Sequence, residues 1–319
     1  MAQSATDFQS FSGGPIASAD PEGPGGVKAR SPKQIFWERF KDDKLALVGA
    51  GMVAFMVAVA LLAPVFEKTL GHPYTEQYRS ELLNDFGTPK GPTSEFLFGG
   101  DQLGRDLFSR VFYGARVSLF IAIIATGIEL FIGVALGMLA GFRKGWVDAL
   151  ISRLIDLTLS IPALLLAISL GIVLDPSKWL VIAVISFFGW PYIARIVRGQ
   201  TLSLREAQFV EAAYSVGATS RWIMLREILT NLIAPIIIYS TLIIPINIIF
   251  EASLSFLGVG VQNPEASWGE MLSNAVDYVS YGAAWLYMFY PGLALFVTVL
   301  GFNLLGDGLR DALDPKTAR

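Results

Sequence analysis

The chain contains no cysteine and a single histidine. The first absence excludes a disulfide framework and thiolate-held metal; the second excludes a histidine-cluster metal site. That histidine, His72, precedes Pro73 in a loop-like stretch and reads as a solvated loop residue. Charge is scarce too: 16% of the 319 residues are Asp, Glu, Lys or Arg, against about 25% in a soluble domain. The sequence has no G-x-x-x-x-G-K-[ST] stretch, which removes a phosphate cradle of that kind. No Ser/His/Asp, metal-ligand or dinucleotide constellation is visible, so the chain reads as no enzyme and as binding no cofactor or metal itself. No basic patch with interleaved aromatics points to nucleic acid. Paired intramembrane acids of the sort that relay protons are missing as well.

What is there is apolar. Hydrophobic residues make up 53% of the chain and the mean hydropathy is +0.54, which marks an all-α polytopic membrane protein. The first 27 residues are mostly Ser, Gly, Pro, Ala and acidic, and residues 1–32 read as a disordered tail, not as a cleaved signal peptide. A spanning helix needs about 20 mainly apolar residues. Six runs qualify: Leu45–Phe66, Val117–Phe142, Ala149–Leu174, the shorter Trp179–Ala194, Ile228–Phe250 and Ala283–Leu305. The chain divides into a region 33–66 with the first span, a loop 67–116, a core 117–306 and a tail 307–319.

Lys and Arg set the orientation. With both termini cytoplasmic, seventeen of the 24 fall inside and seven outside, six of these in the long first loop. The end of that loop, "DQLGRDLFSRVFYGARVSLF", spaces Leu103, Leu107, Phe108, Val111 and Phe112 helically, with Arg105, Arg110 and Arg116 between them. It reads as an amphipathic helix on the outer membrane surface, or equally as an extension of span two.

Within the spans, Gly133, Gly137 and Gly141 share one helix face and allow close backbone approach, within the chain or between subunits. Glu129 sits mid-span, as a polar pore lining, a coupling proton site or a packed hydrogen-bonding group. Arg153 and Asp156, three residues apart, can pair. Pro162, Pro191, Pro235 and Pro245 predict kinks. The segment 251–275, with Gly258, Gly260, Pro264, Trp268 and Gly269, reads as an outer lip that docks a partner or dips into a pore mouth.

One polar stretch interrupts the apolar pattern. "REAQFVEAAYSVGATSRW", from Arg205 to Trp222, lies between spans four and five on the cytoplasmic side. The spacing predicts a helix over about 204–221, with Phe209, Ala213 and Val216 on one face and Glu211 and Ser215 on the other. A short amphipathic helix ending at a Gly and tied to two spans has a shape that can plug into a groove on another protein.

At this point the residues resemble a family. "EAAYSVGATSRWIMLREILTN" is similar to the EAA signature of permease subunits of ATP-binding-cassette importers. Further stretches resemble the C-type permease of the dipeptide/oligopeptide/nickel group: "FGGDQLGRDLFSRVFYGARVSL", "DALISRLIDLTLSIPALLLAI", "WPYIARIVRGQTLSLREAQFVEAA", "EASLSFLGVGVQNPEASWGEML" and "FNLLGDGLRDALDP". The resemblance implies a type I ABC importer permease fold with six transmembrane helices in the inner membrane. It implies a B-type permease as the other half of the pore, two ATPase subunits that hold ATP and Mg, and an extracytoplasmic binding protein. Glu211, Ala212, Ala213 and Gly217, flanked by Arg205, Arg221 and Trp222, take the coupling role. Peptide is the implied cargo, nickel or another small solute the alternative. One departure stands out: Thr230 occupies a position where the family usually has Pro, which predicts a more continuous helix. Two rivals from other classes are a proton-coupled secondary transporter and a membrane anchor or sensor subunit.

Overall fold

The computed structural model describes residues 31–313, and its regular structure is helical. The tail over 1–30 and Lys316 and Arg319 lie outside the described residues. Among the described residues there is no strand, only two isolated antiparallel bridges, Leu83 to Pro89 and Gly100 to Asp106. The chain runs through α1 (Pro32–Asp42), α2 (Lys44–Thr69), α3 (Arg79–Leu82), α4 (Leu107–Arg143), α5 (Gly145–Ser160) and α6 (Ala163–Val173). It continues through α7 (Lys178–Arg205), α8 (Gln208–Ser215), α9 (Ser220–Trp222), α10 (Leu229–Phe256), α11 (Trp268–Ala275) and α12 (Trp285–Leu313). Five helices are long and apolar enough to cross a membrane; α5 and α6 together make a sixth span, bent by 75°.

Side-chain caps explain where many of these helices start. Ser31 and Gln34 form a reciprocal capping box at α1. Asp43 accepts from the backbone N–H of Leu45 and Ala46 and so both stops α1 and starts α2. Asp106, Ser177, Thr219 and Ser267 cap α4, α7, α9 and α11 in the same way.

The third span departs from the continuous helix that its apolar run suggests. Pro162 has no N–H to donate and disfavours helical geometry at Ile161, whose ψ is 125°. The hydroxyls of Thr158 and Ser160 donate to the carbonyls of Leu154 and Leu157 near the break.

α4 and α7 form the axis of the fold, and glycine makes their contact possible. A Cβ on Gly133 would lie 2.6 Å from Ile193 Cβ, one on Gly137 2.6 Å from the Ala194 carbonyl oxygen, and one on Gly141 2.7 Å from Thr201 Cβ. All three therefore face α7 of the same chain. Gly49 and Gly301 play the corresponding part between α2 and α12. Phe40, Ala46 and Ala312 pack together, so the N- and C-terminal helices meet at one end of the bundle. That end also carries residue 143 and α8 and is called the arm end below; the opposite, loop end carries residues 70–106 and 257–284.

Several sequence expectations change here. Of the two readings of the end of the first loop, the extension of span two holds and the surface helix does not: α4 is one helix from Leu107, and Leu107, Phe108 and Val111 are buried in the core. Asp156 pairs with Arg195 at 2.9 Å and not with Arg153. α12 runs on to Leu313, through much of the expected 307–319 tail. His72 is not a freely solvated loop residue, because its ring stacks on Phe96 at 4.3 Å and its backbone N–H donates to Asp106.

Candidate functional site

The arm end is built around a small exposed hairpin. α7 ends at Arg205, whose guanidinium donates to the Phe142 carbonyl and lies over the Phe142 ring. After two intervening residues α8 begins. Val210 is buried against the cluster that holds Phe142, Ile223 and Ile228, with Ala213 packed partly beside it. Gly217 then closes α8 with φ +84°, a conformation L side chains rarely adopt. Its N–H donates to Tyr214 O and that of Ala218 to Ala213 O, the paired bonds of a Schellman turn. Thr219 caps the next helix, which continues through a wide π-helical turn over Ile223–Ile228 into α10.

The predicted helix over 204–221 is therefore three pieces, and its inward face is Val210 and Ala213. Phe209 and Val216, expected on that face, turn outward; Val216 is 85% exposed. With Ala212, Gly217 and Trp222 they border a shallow hollow open to solvent. Glu211 and Arg221 are also exposed, and neither makes an ion pair among the described residues. Beside the arm, Lys144 donates to Glu206 at 2.9 Å and holds that carboxyl below the usual range.

Halfway along α4 lies a second polar group, packed between α7 and α10. Glu129 has no exposed surface. Asn247 of α10 donates to its Oε2 at 3.1 Å and also to Thr126 Oγ1 at 2.9 Å. The other oxygen, Oε1, has no hydrogen-bond partner. Gly189 of α7 makes room for it, since a Cβ there would collide with Oε1. Glu129 forms part of the wall of a cavity of about 460 Å³ between α4, α7 and α10.

The loop end is closed by buried charge. Asp101 accepts from Arg105 Nε at 2.6 Å and lies 3.2 Å from Arg110 Nε. Arg110 reaches across to Glu270 of α11 at 2.9 Å. Burial pushes the Glu270 carboxyl upward while Arg110 and Arg105 pull it back. Arg105 also donates to Asn263 at 2.6 Å. Trp268, fully buried, donates its indole N–H to the Val111 carbonyl at 3.1 Å.

Residues 133–319 match the model for the binding-protein-dependent transport system inner membrane component. The chain belongs to that family. Residues 31–84 match a second model, the N-terminal TM domain of oligopeptide transport permease C. A dipeptide transport system permease protein from Alkalihalophilus pseudofirmus is 38% identical over 95% of this chain and 97% of its own length. An oligopeptide transport system permease protein from Bacillus subtilis is 38% identical over 87% and 88%. A glutathione transport system permease protein from Escherichia coli is 42% identical over 91% and 92%. Among solved structures, a chain of the MetNI methionine ABC transporter in inward-facing conformations matches with TM-score 0.55 and 18% identity, covering 65% of this chain and 98% of that one. The fold is that of an ABC importer permease.

In this permease the expected site residues form separate groups. Glu211, Ala212 and Gly217 share the exposed side of the arm; Arg205 is tucked under it and Arg221 stands on α9. The expected lip is mostly anchor: Trp268 is core, Gly258 ends α10 with φ +79°, and exposure is confined to Phe256–Gly258 at that helix end and to Gln262, Asn263 and Pro264. Sequence reading missed Asp101, Arg105, Arg110 and Glu270 as one network. It also missed Glu251, which is buried and accepts from Ser255 Oγ at 2.8 Å. An acid inside an otherwise apolar helix is the signal that could have found it. Thr230 donates its hydroxyl back to the Arg226 carbonyl, and the helix is distorted just before it, by the π turn and not by a proline.

Proposed function

We propose that this permease forms half of the membrane pore of an ATP-driven, binding-protein-dependent importer of peptides. The other half is a B-type permease. Two ATPase subunits, which bind ATP and Mg, sit beneath the arm end, and an extracytoplasmic binding protein meets the loop end at residues 262–264. The chain lies in the cytoplasmic membrane with both termini and the arm in the cytoplasm. Its relatives' names, which cover dipeptide, oligopeptide and glutathione permeases, support the cargo class.

The observation that carries the reading is the arm. α8 leaves Phe209, Ala212 and Val216 uncovered, yet it is tied to α7 through Glu206 and Ala207 on one side and to α10 through the Gly217 turn, α9 and the π turn on the other. A partner seated on it moves two spans together. Exposed apolar side chains bordered by Thr219 and Glu227 suit a protein groove.

The test is Val216→Glu in the complete complex. Val216 supports no fold contact worth more than about 0.5 kcal/mol at so exposed a position. Thermal stability of the purified permease therefore stays unchanged, while co-purification of the ATPases and peptide uptake fall sharply. Normal uptake with this charge in the hollow rules out the coupling role. Gly217→Pro, which removes the N–H that closes α8, gives the same loss of coupling by a different route.

A further inference from the structure

We propose that the Glu129 carboxylate is a subsite for a cationic ammonium group of the solute passing through the pore. The inference rests on the pore reading above and adds the chemistry of one position within it.

Glu129 lies in the middle of a spanning helix, where an acid is costly unless it is paired or faces a cavity. Here it borders a cavity large enough for an amino-acid-sized group. The lining contains no Lys, Arg or His, so no residue of the wall supplies a counter-charge. Asn247 fixes one carboxylate oxygen in place and Thr126 holds Asn247. The second oxygen is left without a donor, on the side where α7 carries only Gly189. A buried acceptor in that state costs free energy that an N–H donor recovers, and a cationic donor recovers most. The remaining wall matches an ammonium attached to an apolar body. Phe188, Phe250, Tyr192 and Tyr239 line the same cavity, and aromatic faces attract cations as well as bury hydrocarbon. In a peptide the group that fits is the free amino terminus; an anionic end is repelled here.

A purely structural role competes with this assignment, since Asn247 and Glu129 also tie α10 to α4. Glu129→Gln separates the two. The amide keeps the shape and still accepts from Asn247, but it has no charge.

The purified complex is titrated with phenylalanine amide, which is cationic, and with N-acetyl-phenylalanine amide, which is neutral, while thermal unfolding is followed. The cationic probe is expected to raise the unfolding temperature of the native complex and to bind Glu129→Gln about tenfold more weakly or worse, the loss expected for removing one charge-assisted hydrogen bond. The neutral probe is expected to treat the two proteins alike. In proteoliposomes with saturating binding protein, Glu129→Gln should lower uptake of a free-amino dipeptide by a similar factor and leave that of its N-acetylated form nearly unmoved. Equal affinity of native and variant protein for the cationic probe overturns the subsite, as does an equal loss of both peptides. If the native complex moves no peptide but its response to the cationic probe still depends on Glu129, the peptide reading fails and the subsite stands.

Discussion

At the loop end Arg110 has no exposed surface and is held by Asp101 and by Glu270, 160 residues further along the chain. At the arm end Glu211 and Arg221 lie open, and a single buried Val210 joins α8 to the bundle. Both ends are polar, but one has had its charges taken out of water and the other has not. A buried pair is destabilising to break, because the surviving charge has no solvent to replace its partner. An exposed charge has water as a ready substitute and is worth little to the fold. The loop end is thus cross-linked by side chains from distant parts of the sequence. The arm end is left with surface for another protein to cover.

Arg110→Met breaks this contrast most severely. It strands Glu270 in the interior and leaves Asp101 with Arg105 alone, and the expected loss is about 3–5 kcal/mol, read as a large fall in unfolding temperature or in folded yield. Arg110→Met combined with Glu270→Met removes both members of one pair and should lose clearly less than the single change. A double variant as unstable as the single one would mean that the charges matter to the fold only as volume.

Val210→Ala probes the arm in the same way. Removing two methyl groups costs about 1–2 kcal/mol at about 0.8 kcal/mol for each carbon. The effect is local, since α8 has no other fully buried side chain. Limited proteolysis or hydrogen exchange over residues 206–218 should accelerate while the unfolding temperature of the bundle barely changes. Equal loss at both ends would show that the arm is part of the core and not a separately anchored element.

How much of this can be read from sequence follows the same division. The six apolar runs, the glycine stripe of Gly133, Gly137 and Gly141, and the polar helix between spans four and five are local patterns with local causes. The Gly217 turn is local too, although the sequence spreads one helix across it where the structure has two. The loop end was misread because its partners are remote. The cations at Arg105 and Arg110 have the spacing of a surface helix, and nothing nearby in sequence indicates that Glu270 neutralises one of them. Trp268 has the same difficulty: beside glycines and Pro264 it suggests an exposed lip, and only its contact with Val111 makes it core. Asp156 finds Arg195, 39 residues away, in preference to the neighbour its helical spacing offers. Glu129 could be recognised as an unusual buried acid, but its unpaired oxygen and the room left by Gly189 are properties of three helices together.

The smallest effect belongs to the ion pair between Lys144 and Glu206. It is as short as the Arg110–Glu270 pair, 2.9 Å in each case, but both its side chains are open to water. Lys144 is the main cause of the lowered pKa of Glu206, with Arg205 contributing less. A carboxyl lowered in the folded state adds stability above its ordinary value of 4.5, and that stability disappears as the pH falls through the lower folded value. Glu206→Gln should therefore differ slightly from the native chain at neutral pH in low salt. The difference should vanish in acid and be largely screened in high salt. A difference that persisted under both conditions would mean that Glu206 supports the arm through packing and not charge. Vanishing under both would confirm that equal distance does not mean equal energy: the same bond length matters greatly where water is excluded and hardly at all where it is not.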